Sequence, residues 1–119
     1  MAALFHGRHW TEIPSNEIPI EGSFLFYFEP EAFRFYLPAF MRAVLYDFDR
    51  LDTLPTDILS ALTRDEEKTT LPRMRAFGLF SAAQKHATRR FLEFVRDEHD
   101  DDIFLPLCAD TALEGYWAK

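Results

Sequence analysis

Residues Phe24–Phe48 read FLFYFEPEAFRFYLPAFMRAVLYDF. This stretch holds seven of the thirteen phenylalanines and three of the four tyrosines. Each such ring hides roughly 150–250 Å² when packed, so the segment is expected to be largely buried and to form the heart of the fold. Pro30 suits the first position of a helix, where its missing N–H would have no partner. Glu31 then sits well against the positive end of the helix. Phe33, Leu37, Phe40, Met41, Val44 and Leu45 recur at intervals of three and four, an apolar stripe of helical period. Pro38 falls inside that stripe and removes one backbone bond, which predicts a bent element made of 30–37 and 38–47.

Upstream of this segment, Ile13-Pro14, Ile18-Pro19 and Gly22 disfavour helix and predict a loop or short turns over 14–23. Residues 1–13 are expected to be poorly ordered at first, then extended at Trp10–Ile13. Downstream, residues 47–55 read as a loop and Thr56–Leu62 as a short helix with Ile58, Leu59 and Leu62 inward. Thr63–Thr70, TRDEEKTT, is a polar connector expected to be flexible, and Arg73–Phe77 holds a turn of helix ending at Gly78. Ser81 and Gln84 form a capping box that starts a long helix. On it, Ala83, Ala87, Phe91, Phe94 and Val95 lie at helical spacing and are expected to face inward as far as about Asp97. Ile103–Leu107 reads as a short extended piece interrupted by Pro106, and Asp110 as the cap of a last helix through Trp117, which docks on the core. The expected architecture is all-α: a single domain over 1–119, with five or six helices packed round a proline-kinked aromatic helix.

A chain of 119 residues buries well over half of its unfolded surface and folds without a metal or a disulfide. Cys108 is the lone cysteine, which fits a reducing cytosol. The opening MAALFHGRHW lacks a basic lead followed by a long apolar run, so no secretory leader is expected. Glu29, Glu31, Arg34 and Arg42 break the aromatic segment, and no run reaches the ~18 apolar residues of a membrane span. The expected location is the cytoplasm, away from any membrane. The net charge is −7, the reverse of what phosphate contacts demand, so no nucleic-acid partner is expected. The charge is also uneven. From Arg73 to Arg96 six basic residues face Glu93 alone, whereas Asp97–Glu114 carries seven acids and no Lys or Arg.

Four segments in a fixed order carry a family resemblance: HWTEIP at His9–Pro14, FEPEAFRFYLPAFM at Phe28–Met41, FSAAQKHATRRFLEFV at Phe80–Val95, and Tyr116-Trp117. In that order the chain resembles a small bacterial family of uncharacterised proteins, over nearly its whole length. The family usually carries a small hydroxyl residue before PEAF; Glu29 stands here, so the expected cap is weaker. The resemblance implies no activity. It suggests proximity to toxin genes, and hence an immunity-type inhibitor.

The sequence offers little reaction machinery. No nucleophile elbow, phosphate loop or dinucleotide fingerprint is present. His6, His9, His86, His99 and Cys108 are the soft metal candidates, and no spacing among them gives the three or four converging ligands of a zinc site. Counted from Asp97, the sixth and twelfth positions of a calcium loop hold Asp102 and Cys108, not glycine and a carboxylate. No metal or cofactor is expected. Cys108 lies in LPLCA and reads as a small buried hydrophobe. Glu31 and Arg34 are spaced for a local ion pair, and Arg34 beside an aromatic wall also suits recognition. Lys85, Arg89, Arg90 and Arg96 read as a face paired with nearby acids. The leading expectation is a cytosolic binding protein whose acidic face meets a basic partner such as a bacterial toxin. Its carboxylates would be Asp47, Asp49, Asp52, Asp97, Glu98, Asp100, Asp101 and Asp102. The alternatives are a small enzyme or metal protein using His86, His99 or His9 with carboxylates, and a structural subunit that forms a homodimer.

Overall fold

Pro30 opens the first helix, α1, which runs unbroken through Pro38 to Tyr46 in the computed structural model. The structure describes residues 9–22, 25, 29–63, 71–99 and 102–118, leaving aside the side chains of 15 and 71–74. Pro38 lies inside α1 without interrupting it, so the two stretches expected on either side of it form one continuous helix. The ring removes only the bond that the Arg34 carbonyl would accept, and the packing of a 17-residue element outweighs one lost bond. Glu29 makes no side-chain cap bond, as its length predicts. Phe33, Leu37, Ala39, Phe40, Ala43 and Val44 are buried along the helix. The opposite face is open: Phe35, Leu45 and Tyr46 are exposed, Tyr46 at 80%. Of the aromatic stretch expected to be largely buried, Phe33 and Phe40 are buried, Tyr36 and Phe48 half-buried and Phe35 and Tyr46 exposed, while Phe24, Phe26, Tyr27 and Phe28 lie outside the described residues.

Before α1, Trp10–Glu12 and Ser15–Glu17 are 3₁₀ turns. The first corrects the extended reading of Trp10–Ile13. The His9 ring nitrogen accepts from the Thr11 N–H at 3.2 Å, and the Glu12 carboxylate accepts from the His9 N–H, so local capping decides the turn. Ile13 stays extended, as a residue before proline prefers. Ile13 and Ile18 are buried at 0% and 1% exposure and anchor the segment to the core. Gly22 is buried, and its N–H donates to Asp57 Oδ2 at 2.9 Å, tying it to the next helix.

That helix, α2, spans Leu54–Leu62 and buries Leu54, Pro55, Ile58, Leu59, Ala61 and Leu62. A 3₁₀ turn at Phe48–Arg50 precedes it. The connector expected over 63–70 lies outside the described residues except for Thr63. Helix α3 spans Leu71–Leu79 and runs through Gly78 rather than ending there. Gly78 is exposed with open space around it, so nothing forces a left-handed stop. Helix α4 spans Ala82–Glu98 and starts with the predicted box: Ser81 Oγ accepts from the Gln84 N–H and Gln84 Oε1 from the Ser81 N–H. Its buried residues are Thr88, Phe91, Leu92 and Val95. The expected stripe is thus rotated: Ala83 and Ala87 face solvent and Phe94 is 41% exposed.

Helix α5 spans Phe104–Ala112 and continues as a π turn, Leu113–Trp117. This corrects the extended piece expected at Ile103–Leu107. Pro106 falls in the first turn, where its missing N–H costs nothing. The cap is Asp102, not Asp110. Asp102 Oδ1 accepts from the Phe104 and Leu105 N–H groups at 2.8 and 3.1 Å, while Asp110 sits mid-helix and pairs with Arg96 at 3.6 Å.

The five helices form an all-α globule with no strand among the described residues. Helix α1 packs on α3, and α5 packs between α2 and α4. Trp117, 1% exposed, closes the body. Its indole N–H donates to the Leu62 carbonyl at 2.8 Å, and its ring meets Phe77 and Phe80, each at 5.1 Å. A buried indole satisfied at its one polar atom fixes the chain end to α2, α3 and the start of α4 at once.

Candidate docking site

Contacts at two ends define how α1 and α4 stand to each other. At their N-terminal ends the Phe33 and Phe80 rings lie 6.4 Å apart, and Arg34 Nη1 donates to the Leu79 carbonyl at 3.1 Å. At their C-terminal ends Phe48, just past α1, stacks on His99, just past α4, at 4.0 Å. The helices therefore run in the same direction, bridged at both ends. Between the bridges lies an open groove of about 720 Å³. Its floor is apolar: Leu37, Pro38, Met41 and Leu45 from α1, Ala87, Phe91 and Phe94 from α4.

The charged residues that line the groove are Arg34, Arg42 and Arg90; among the described residues no carboxylate lines it. This is a sharp local reversal in a chain of net charge −7. Arg34 and Arg42 are eight apart, hence on one face of α1 and roughly 12 Å apart along it. Arg34 does not pair with Glu31; its described partner is the Leu79 carbonyl. Arg42 donates to the carbonyls of Trp10 and Ile13 and lies 5.5 Å from the centre of the Trp10 ring. A carbonyl or a ring orients a guanidinium without cancelling its charge. Both cations therefore keep an attraction for an anion, strengthened by the apolar floor beside them. Arg90 differs: it pairs with Glu93 at 3.3 Å.

The carboxylates singled out from the sequence part company. Asp49, Glu98 and Asp102 gather with Phe48 and His99 round a depression of about 290 Å³ at the C-terminal bridge. The Phe48–His99 stack brings them together across some fifty positions of sequence. Asp47 pairs with Arg50. Asp97 pairs with Arg96 at 2.9 Å, and that hydrogen bond holds its carboxyl below the usual carboxylate range. Asp52 is exposed and lies outside the depression. Asp100 and Asp101 lie outside the described residues.

Neither the groove nor the depression brings two histidines together. His9 caps its turn, His86 is exposed on α4, and His99 alone joins the acids. Among the described residues no three His, Cys, Asp or Glu side chains are placed to hold a metal. Cys108 is half-buried, and burial, then the charge of Asp102, pushes its thiol up. A thiol held protonated is a poor nucleophile. The basic face of α4 is engaged: Arg89 and Arg90 with Glu93, Arg96 with Asp97 and Asp110, Lys85 over the Tyr116 ring.

Sequence reasoning missed the groove. Its signal was the pair Arg34 and Arg42, two turns apart, beside Leu37, Met41 and Leu45. A last exposed feature is apolar. Ile103, Phe104 and Leu107 at the start of α5 are 81%, 68% and 63% exposed. No helix among the described residues is long and apolar enough to cross a membrane.

Fold and site together define a small all-α domain with a slot between two parallel helices. The chain belongs to the family of unknown function DUF6714, whose model matches residues 1–119. No curated protein and no solved structure matches it.

Proposed function

We propose that this protein works by binding, and that the slot between α1 and α4 is its docking face. One observation carries the reading: an apolar floor rimmed by arginines, on a chain whose charge is otherwise acidic. Clefts of roughly 300–1,000 Å³ with an apolar lining and a few convergent polar groups are where proteins take ligands and partner segments. The occupant that fits is an apolar segment bearing carboxylates, since the floor takes its side chains and Arg34 and Arg42 its charge. An anilinonaphthalene sulfonate dye, apolar and anionic, tests this chemistry. The native protein is expected to enhance its fluorescence, Phe94→Asp to abolish the enhancement, and Arg34→Gln with Arg42→Gln to weaken it. Enhancement unchanged by Phe94→Asp refutes the groove as the site.

A second reading rests on the meeting of Asp49, Glu98 and Asp102 at one end of the groove. It is that of a cytoplasmic, bacterial immunity-type inhibitor. The acidic end docks on a basic partner such as a toxin and covers a site built for phosphate. Capture from host extract at low and high salt tests it. The expected partner is basic and is lost at high salt, and Asp49→Lys with Glu98→Lys abolishes capture. A partner that resists both changes argues against the acidic end.

A further inference from the structure

Resting on the groove reading, we propose that its occupant is a second copy of this chain: the exposed start of α5 from one molecule seats in the α1/α4 slot of the next. The two surfaces match in chemistry. Ile103 and Leu107 are four apart and Phe104 and Leu107 three apart, so the three side chains form one apolar knob on the first turn of α5. Asp102 directly precedes it, and Glu98 lines the same depression as Asp102. The slot offers the complement, an apolar floor between Arg34, Arg42 and Arg90. The knob stands exposed in the same structure in which the slot is open, so within one molecule neither covers the other. Exposed aromatic and aliphatic side chains at these fractions mark an interaction surface.

The charges set the orientation. Asp102 spends one carboxylate oxygen on capping α5, and Glu98 lines the neighbouring depression. Both therefore stand beside the knob when it enters a slot rimmed by cations. Like charges face each other if knob meets knob or slot meets slot. The contact is therefore knob to slot, made once in a head-to-tail pair or twice across a two-fold axis. Such a contact is complemented in trans: a molecule with only a sound knob pairs with a molecule with only a sound slot.

The test uses two variants of the full chain. In the knob variant Phe104→Gln and Leu107→Gln are combined; in the slot variant Phe94→Asp stands alone. All three positions are exposed, and melting by circular dichroism verifies that each variant folds; Phe94→Asn replaces Phe94→Asp if the charge prevents folding. Sedimentation velocity over a concentration series reads the association. The wild-type mass is expected to rise with concentration, and less steeply at high salt. Each variant alone is expected to lose about tenfold or more in association. A mixture of the two is expected to regain association as a complex of one molecule of each. A wild-type chain that stays monomeric overturns the inference, as does a mixture that fails to associate. The dye separates this failure from failure of the groove reading. If the knob variant still enhances its fluorescence and loses the enhancement on Phe94→Asp, the slot binds and only the self-contact is wrong. If it does not, both readings fall.

Discussion

Replacing Trp117 by alanine removes the side chain that joins the chain end to three helices. Its ring is 1% exposed, packs on Phe77 and Phe80 at 5.1 Å, and donates to the Leu62 carbonyl at 2.8 Å. Truncating a buried tryptophan costs about 3–5 kcal/mol. The Leu62 carbonyl, left in the core without its donor, adds to that within a penalty of about 1–3 kcal/mol for an unsatisfied buried group. Trp117→Phe isolates the second effect, because phenylalanine fills most of the ring space but carries no N–H. It is expected to lose about 1–3 kcal/mol. Against a total stability of roughly 5–15 kcal/mol these are large fractions. At about 3–5 °C per kcal/mol for a domain of this size, the alanine variant is expected to melt ~10 °C or more lower and the phenylalanine variant ~3–15 °C lower. Far-UV circular dichroism reads the melt, and urea titration at constant m confirms that the same transition is followed. If both variants melt within about 3 °C of the native chain, Trp117 is not the closing contact and the described packing of the chain end is wrong.

Other consequences follow from single contacts. A Cβ at Gly22 meets Leu54 Cδ1 at 2.8 Å and Asp57 Cβ at 2.9 Å, so Gly22→Ala is expected to cost about 1–3 kcal/mol by overpacking, measured by urea denaturation. The hydrogen bond from Arg96 lowers the Asp97 carboxyl. Its contribution to stability is present above the unfolded carboxyl value and fades as pH falls through the lower folded one. Arg96→Gln is expected to return Asp97 to the ordinary range in a carbon-13 NMR titration, and high salt to narrow the difference. Burial and then Asp102 raise the Cys108 thiol. Asp102→Asn retains a capping oxygen but removes the charge, so the pH midpoint for reaction with an aromatic disulfide is expected to fall. An unchanged midpoint shows that Asp102 does not act on the thiol.

The groove and the acidic depression share the C-terminal bridge between α1 and α4, and this shapes both proposals. Phe48 and His99 stack just beyond the last groove-lining residues, Tyr46 and Phe94, and share the depression with Asp49 and Glu98. Under the proposed docking, a partner seated in the slot meets arginines along its length, and carboxylates only where it extends past the bridge. That polarity fixes the direction in which an occupant lies, a form of specificity that charge supplies more readily than affinity.

Local chemistry was legible from residues alone. Ser81 and Gln84 start α4 where their side chains reach each other's backbone, and Pro30 starts α1; neither decision needs a distant partner. The all-α class followed from the three-and-four spacing of apolar residues, and the roles of Trp117 and of the α4 basic face as charges paired with nearby acids were readable too. What failed were decisions that a distant surface makes. Whether α3 ends at Gly78 and which way α4 turns its stripe depend on what packs against each helix. Phe94 satisfies the helical period as well as Phe91 does, yet on the same slot Phe94 is 41% exposed and Phe91 is buried. The slot is a property of no single segment. It exists because α1 and α4 run parallel and are pinned at both ends, by Phe33 with Phe80 and by Phe48 with His99. Sequence periodicity says that a helix has an apolar face; only the arrangement of its neighbours determines whether that face is covered.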